Sequence, residues 1–254
     1  MMPKISYKEL IERCHKSKKT SFNLYYWHRL LSVPITRFFY RCNVQPNIVS
    51  YSMILFSILS FILMCLDSSV FFWLGYCFAF LAFLFDKVDG DLARLYGLDN
   101  IKGSVLDFVY HRYSLFLFYL GIAVQYSYES KYIIIIASLA GFIANYVEEM
   151  QLLPYRVYAH KFIIKRENIS VIHPTKEIQY PTTIKLTKSF RVQLFLFYYF
   201  LFAIIANKIW GVKITVSMLI ALLSLITYSA YQLFVVQYYS FDKEIEVLNE
   251  QNKK

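Results

Sequence analysis

The residues able to do chemistry gather in one stretch, FDKVDGDLARLYGLDNIKGSVLDFVYHR, which carries Asp86, Asp89, Asp107 and His111. On a helix Asp86, Asp89, Gly90, Ala93 and Gly97 fall at i, i+3, i+4, i+7 and i+11, one stripe with two carboxylates beside residues that have almost no side chain. Small residues let a ligand approach the backbone. Beyond a short connection at 98–102, Gly103, Asp107 and His111 recur every fourth residue on one face of the next helix. Two neighbouring helices can therefore aim three carboxylates and an imidazole at one spot. Three clustered carboxylates repel one another and stay ionised together only when cations neutralise them. Hard oxygen donors favour Mg²⁺, Mn²⁺ or Ca²⁺. The pattern implies a divalent metal site, and a diphosphate is its natural substrate.

The elements that must position these residues are set by composition. Of the 254 residues 57% are hydrophobic and 19% aromatic, with only 17% charged, which is too apolar for an ordinary soluble domain. The apolar residues fall in six blocks, about 48–66, 70–96, 103–125, 131–150, 190–207 and 212–238, each able to cross roughly 30 Å of hydrocarbon as a helix. Blocks such as IVSYSMILFSILSFILMCL are apolar on every side, so the alternation of a transmembrane β-barrel is excluded. The expected fold is an all-α polytopic membrane protein of six transmembrane helices preceded by an N-terminal interfacial helix. Residues 1–45 form a cytoplasmic N-terminus, 46–238 the transmembrane domain with a basic connection at 151–189, and 239–254 a cytoplasmic tail.

Placing the N-terminus in the cytoplasm leaves Lys131, Lys208 and Lys213 outside and the rest of the 27 Lys and Arg inside, so both termini and the acidic cluster face the cytoplasm. The segment FNLYYWHRLLSVPITRFFYR, residues 22–41, mixes aromatics with Arg29, Arg37, Arg41 and Pro34, as suits a kinked helix lying at the membrane surface. Pro46 then favours a helix start, and Asn47 or Ser50 can cap its amides or contact a ligand.

Other functions are excluded by what is missing. Cys14, Cys42, Cys65 and Cys77 form no C-x-x-C pair, so neither a disulfide framework nor a zinc site is expected, and with the first apolar block starting near residue 48 no removable signal is expected either. The net charge of +10 follows from topology and anionic headgroups; no nucleic-acid module accompanies it, and no nucleic-acid partner is expected. Glu148 and Glu149 mark a water boundary or bind an acceptor amine. Arg156, Lys161, Lys165, Arg166, Lys185, Lys188 and Arg191 gather on the same side, where one or two can grip a phosphate or a lipid headgroup. His28, His160 and His173 have no ligand-spaced partners.

Asp86, Asp89, Gly90, Ala93, Arg94, Gly103 and Asp107 stand at the spacings D-x2-D-G-x2-A-R-x8-G-x3-D, and by these residues the chain resembles the CDP-alcohol phosphatidyltransferases. Seven specified positions match by chance at a given start about once in 10⁸. The likeness extends to the six spans, the interfacial helix and Pro46-Asn47-x-x-Ser50, covering about residues 22–238. It implies a metal-dependent transfer from a CDP-linked donor to an alcohol acceptor in a membrane homodimer, with CMP released. Asp86, Asp89 and Asp107 would hold the metals, and Gly90, Ala93, Gly103, Asn47 and Ser50 would make room for CDP. Arg94 would neutralise phosphate charge.

The fourth Asp of that family, its proton acceptor, is replaced here by His111, followed by Arg112. Three readings stay open. His111 is the base, because an imidazole is better matched to neutral pH than a carboxylate. Or it ligates a metal and tilts preference from Mg²⁺ towards Mn²⁺. Or it is a satisfied polar residue in a chain that is an inactive membrane scaffold or uses another base such as Asp91, although Asp91 points away from the stripe and reads best as a solvated or capping carboxylate. Two transfers also stay open: CDP-diacylglycerol giving phosphatidyl to a polar alcohol, or a CDP-activated polar group passing to a lipid or glycan hydroxyl. A transporter is disfavoured because no inverted repeat or broken span is visible.

Overall fold

The computed structural model describes residues 9–11, 24–97, 101–147 and 192–232, with single positions at 246 and 250. These residues are helical with short connections, and no strand occurs among them. Helix α1 runs Leu24–Arg41, α2 Pro46–Met64, α3 Ser69–Tyr96 and α4 Ile101–Gln125. A 3₁₀ turn, Ser127–Glu129, leads to α5 over Ile133–Val147. Then come α6, Val192–Trp210, and α7, Ile214–Tyr231. Helices α2, α3 and α7 are long and apolar enough to cross a membrane, while Ile133–Val147 and Phe195–Trp210 are shorter apolar stretches. Helix α4 is 25 residues long and holds Lys102, Asp107 and Arg112 in its first half, so the residues expected to do chemistry also lower its hydropathy. The described residues are thus all helical, and three of their helices mark a membrane protein.

The described residues up to Gly141, with Lys213–Thr215, form one compact unit. Its chain reversal before α2 is built from local signals. Helix α1 ends with Asn43 at φ 56°, its amide donating to Tyr40 O at 3.1 Å and the Val44 amide to Phe39 O at 2.9 Å, the paired bonds of a Schellman turn. Three residues later Pro46 opens α2, where its missing N–H costs nothing. Pro34 lies within α1, with Val33 and Thr36 buried around it. Val33 and Tyr40 of α1 meet Val49 of α2 and Val88 and Leu92 of α3 in one apolar cluster that also takes in Leu10.

At the opposite end of α2 the helices approach closely because two contacts have no side chain. A Cβ on Gly75 of α3 would lie 2.7 Å from the Ser60 carbonyl oxygen, and one on Gly121 of α4 would lie 3.0 Å from Met64 Cβ and Sδ. Close backbone approach of this kind holds helices together in lipid, where apolar side chains gain nothing by leaving apolar solvent. Phe56–Phe85 and Tyr76–Phe118 ring contacts, with centroids 5.2 and 5.3 Å apart, join α2 to α3 and α3 to α4. Glu129 Oε2 accepts from the Thr215 amide at 2.9 Å and from Thr215 Oγ1 at 3.2 Å, which caps the start of α7.

The second unit holds the described residues of Phe142–Val212 and those from Val216 onward. Within it the Tyr199 hydroxyl of α6 donates to Ser217 O of α7 at 2.9 Å. The turn before α7 uses Gly211 at φ 68°, with its amide on Asn207 O.

Gly75→Ala is expected to destabilise the protein by about 1–3 kcal/mol, since the new methyl meets the Ser60 carbonyl oxygen and the Met64 amide nitrogen, which cannot move aside as the Met64 side chain can. Thermal melting in detergent checks this, and an unchanged melting temperature would refute the close α2–α3 contact.

Candidate active site

Helix α3 ends at the site because Gly97 adopts φ 63°, ψ 26° and its amide turns back to Ala93 O and Arg94 O. This left-handed cap corrects one expectation: Gly97 does not extend the small-residue stripe but terminates the helix, and the stripe closes at Ala93. On α4, Asp107 and His111 stand one turn apart and face Asp86 of α3. His111 Nε2 lies 3.3 Å from Asp86 Oδ1 and 3.3 Å from Asp107 Oδ1. Exposure is graded across the cluster, with the Asp86 side chain 8% accessible, His111 31% and Asp107 48%. Lys87 forms an ion pair with the other oxygen of Asp86.

One ligand atom from each of Asp86, Asp107 and His111 lies within 4.8 Å of the others. Ligands of a single ion held at about 2.0–2.4 Å are themselves within about 5 Å of one another, so the donor set fits a divalent cation.

Asp89 is held apart from that trio. It is 9% exposed, and its Oδ2 accepts a 2.9 Å bond from the hydroxyl of Ser50, itself buried on α2. The Ser50 hydroxyl also lies 3.3 Å from Pro46 O. Asn47 Oδ1 is 3.6 Å from where a Cβ on Gly103 would sit, so the start of α2 lies against the start of α4. Neither residue caps α2: the cap position is Gln45, which makes no side-chain bond to the helix amides. Asn47 and Ser50 instead sit inside the first helical turns, facing the acidic helices.

Asp91 is the clearest departure from expectation. It is neither solvated nor a cap but fully buried, and its Oδ1 accepts a 2.5 Å bond from the Arg94 guanidinium, whose side chain is 45% exposed. Residues 91 and 94 are one turn apart, and this spacing is the signal that would have found the pair. Lys87 carried no such signal, because adjacent helical residues do not normally face each other. Arg112 turns to the Phe108 ring, 4.9 Å from its centroid. Glu148, Glu149, the 151–189 connection and all of the 239–254 tail except positions 246 and 250 lie outside the described residues.

Comparison with protein families adds the decisive observation: the model of the CDP-alcohol phosphatidyltransferase family matches residues 43–240. The chain belongs to this family. The match takes in α2, α3 and α4 and every site residue named above, so the resemblance read from the spacing of the aspartates is borne out. Comparison with curated proteins finds no match. The family is one of phosphotransferases that act on CDP-alcohols and typically depend on divalent cations, and membership supports a transferase role for this protein.

Ser50→Ala should lower stability by about 1–3 kcal/mol, because Asp89 then loses a buried donor. Melting in detergent measures it; a variant as stable as the parent would show that this bond does not hold Asp89.

Proposed function

We propose that the protein is a metal-dependent transferase that moves a substituted phosphate group from a CDP-linked donor, such as CDP-diacylglycerol, to an alcohol acceptor and releases CMP. It acts in phospholipid or related glycoconjugate synthesis. The observation that carries this reading is the meeting of Asp86, Asp107 and His111 at ligand distance within a D-x2-D-G-x2-A-R-x8-G-x3-D frame. The reading places six spans in the membrane, with the site and both termini on the cytoplasmic side, and two copies in a homodimer. One substrate then arrives from water and the other from lipid.

In this reading Asp86, Asp89 and Asp107 hold the divalent cations, with His111 within reach of the same position. The ion, when bound, supplies positive charge to the diphosphate. Gly90, Ala93 and Gly103 leave room for the nucleotide, Asn47 and Ser50 border it, and Arg94 donates to phosphate oxygen through its planar fork. The acceptor hydroxyl attacks the phosphorus that bears the donated group. Its oxygen forms the new bond to phosphorus, the bond from that phosphorus to the bridging oxygen breaks, and the bridging oxygen leaves with CMP. His111 takes the hydroxyl proton, since its imidazole borders the cluster and is partly open to the site. Phosphoryl transfer of this kind depends on positioning and charge stabilisation more than on covalent catalysis.

CDP or CMP with Mn²⁺ or Mg²⁺ is expected to raise the melting temperature of the purified protein, and Asp86→Asn and Asp89→Asn should abolish the rise. No shift with any metal would instead favour an inactive family member serving as a membrane scaffold. His111→Ala should slow transfer by about 10²–10⁴-fold with an active substrate pair, drawn from both CDP-diacylglycerol and CDP-linked polar groups. Full turnover by that variant would remove His111 from the base's role, and faster turnover by His111→Asp would mark the imidazole as a drifted carboxylate.

A further inference from the structure

Within the reading just given, the structure also points to a residue that the family pattern leaves unspecified. We propose that Asp91 is a positioning residue: it fixes the Arg94 guanidinium over Gly90 so that the fork is already in place when a diphosphate arrives.

Three observations support this. Asp91 is fully buried while Arg94 is 45% exposed, so the pair joins an interior anchor to an open head, and the 2.5 Å bond uses Arg94 Nη2. The guanidinium lies along the backbone at Gly90: a Cβ there would be 3.6 Å from Nη2, 3.7 Å from Nη1 and 4.0 Å from Cζ. Gly90 follows Asp89 directly and lies one turn beyond Asp86, so the seated guanidinium borders the metal-ligating stripe on α3.

The physical reason for such an anchor is entropic and electrostatic. An arginine carries five N–H donors, and the contact with Asp91 leaves the others for a second anion. A free arginine loses rotamer freedom when it grips a phosphate; one seated beforehand has already lost it, and this strengthens binding. A buried carboxylate is costly in a membrane-embedded helix unless a cation partners it. Gly90 lets the guanidinium lie close to the helix, and Asp91 on the neighbouring face holds it there.

The test is the affinity of the full-length protein in detergent for CDP with Mn²⁺, measured by calorimetry below the melting temperature of each variant. Asp91→Asn keeps the shape of the side chain and removes its charge, and is expected to weaken CDP about ten-fold. Arg94→Gln should weaken CDP by at least as much, and adding Asp91→Asn to it should cost nothing more, because the anchor then has nothing to hold. If Arg94→Gln weakens CDP but Asp91→Asn binds like the parent, or if the two losses add, the positioning role is wrong while the nucleotide site stands. If the parent itself does not bind CDP with metal, the function proposed above falls and this inference with it. Should Asp91→Asn not fold, Arg94→Lys decides: lysine keeps the charge but lacks a fork that can bond Asp91 and phosphate together. A loss matching Arg94→Gln supports the seat, and parent-like affinity overturns it.

Discussion

The structure depends on keeping several carboxylates together at the end of a membrane helix. Asp86, Asp89 and Asp91 fall within six residues of α3, and Asp107 of α4 stands across from Asp86. Charges in such a place are tolerated only with partners, and the three on α3 are partnered in different ways. Asp86 has the Lys87 ammonium and the His111 imidazole, Asp89 has the Ser50 hydroxyl, and Asp91 has the Arg94 guanidinium. Asp107, the most open of them, shares His111. The arrangement separates jobs that the sequence places side by side: one carboxylate faces the shared ligand position, one is tied to the neighbouring helix, and one is turned inward as an anchor.

Holding these partners in register requires that α2, α3 and α4 stay fixed relative to one another over their full length. Gly75 and Gly121 allow this at the end remote from the site, where both lie against the Ser60–Met64 turn of α2. Near the site the same three helices also meet through polar contacts, Ser50 with Asp89 and Asn47 beside Gly103, next to the apolar cluster of Val49, Val88 and Leu92. The Schellman turn at Asn43 and the proline at the start of α2 bring Asn47 and Ser50 to that polar end.

Much of this was legible in the residues. The helical class, the helix ends near Pro46 and Tyr96, and the convergence of Asp86, Asp107 and His111 follow from apolar block length, proline placement and fourfold spacing, which are local properties. The six-span count rested on block length alone; three described helices meet both length and apolarity, because α4 spends part of its length on charged residues and Ile133–Val147 and Phe195–Trp210 are shorter. What could not be read were outcomes of tertiary choice. Whether Gly97 continues a helix or ends it depends on a backbone angle open to any glycine. Whether Ser50 caps α2 or bonds Asp89 depends on where α3 lies. Asp91 was misread because its face of α3 was assumed to meet water, whereas α1 packs on that helix through Val33 and Tyr40 against Val88 and Leu92.

The imidazole at position 111 changes the balance of the cluster more than its size suggests. A carboxylate there would face Asp86 and Asp107 at close range and add a third negative charge to the pair, so the site would rely more heavily on its cations. His111 brings a nitrogen within 3.3 Å of both oxygens, which is attractive when the ring carries a proton on that atom and compatible with shared ligation when it does not. A site of this composition repels itself less before any ion binds, and its nitrogen donor moves preference along the transition-metal series away from Mg²⁺. On the function proposed above, an imidazole at this position would keep the transfer chemistry while changing which divalent cation the site prefers.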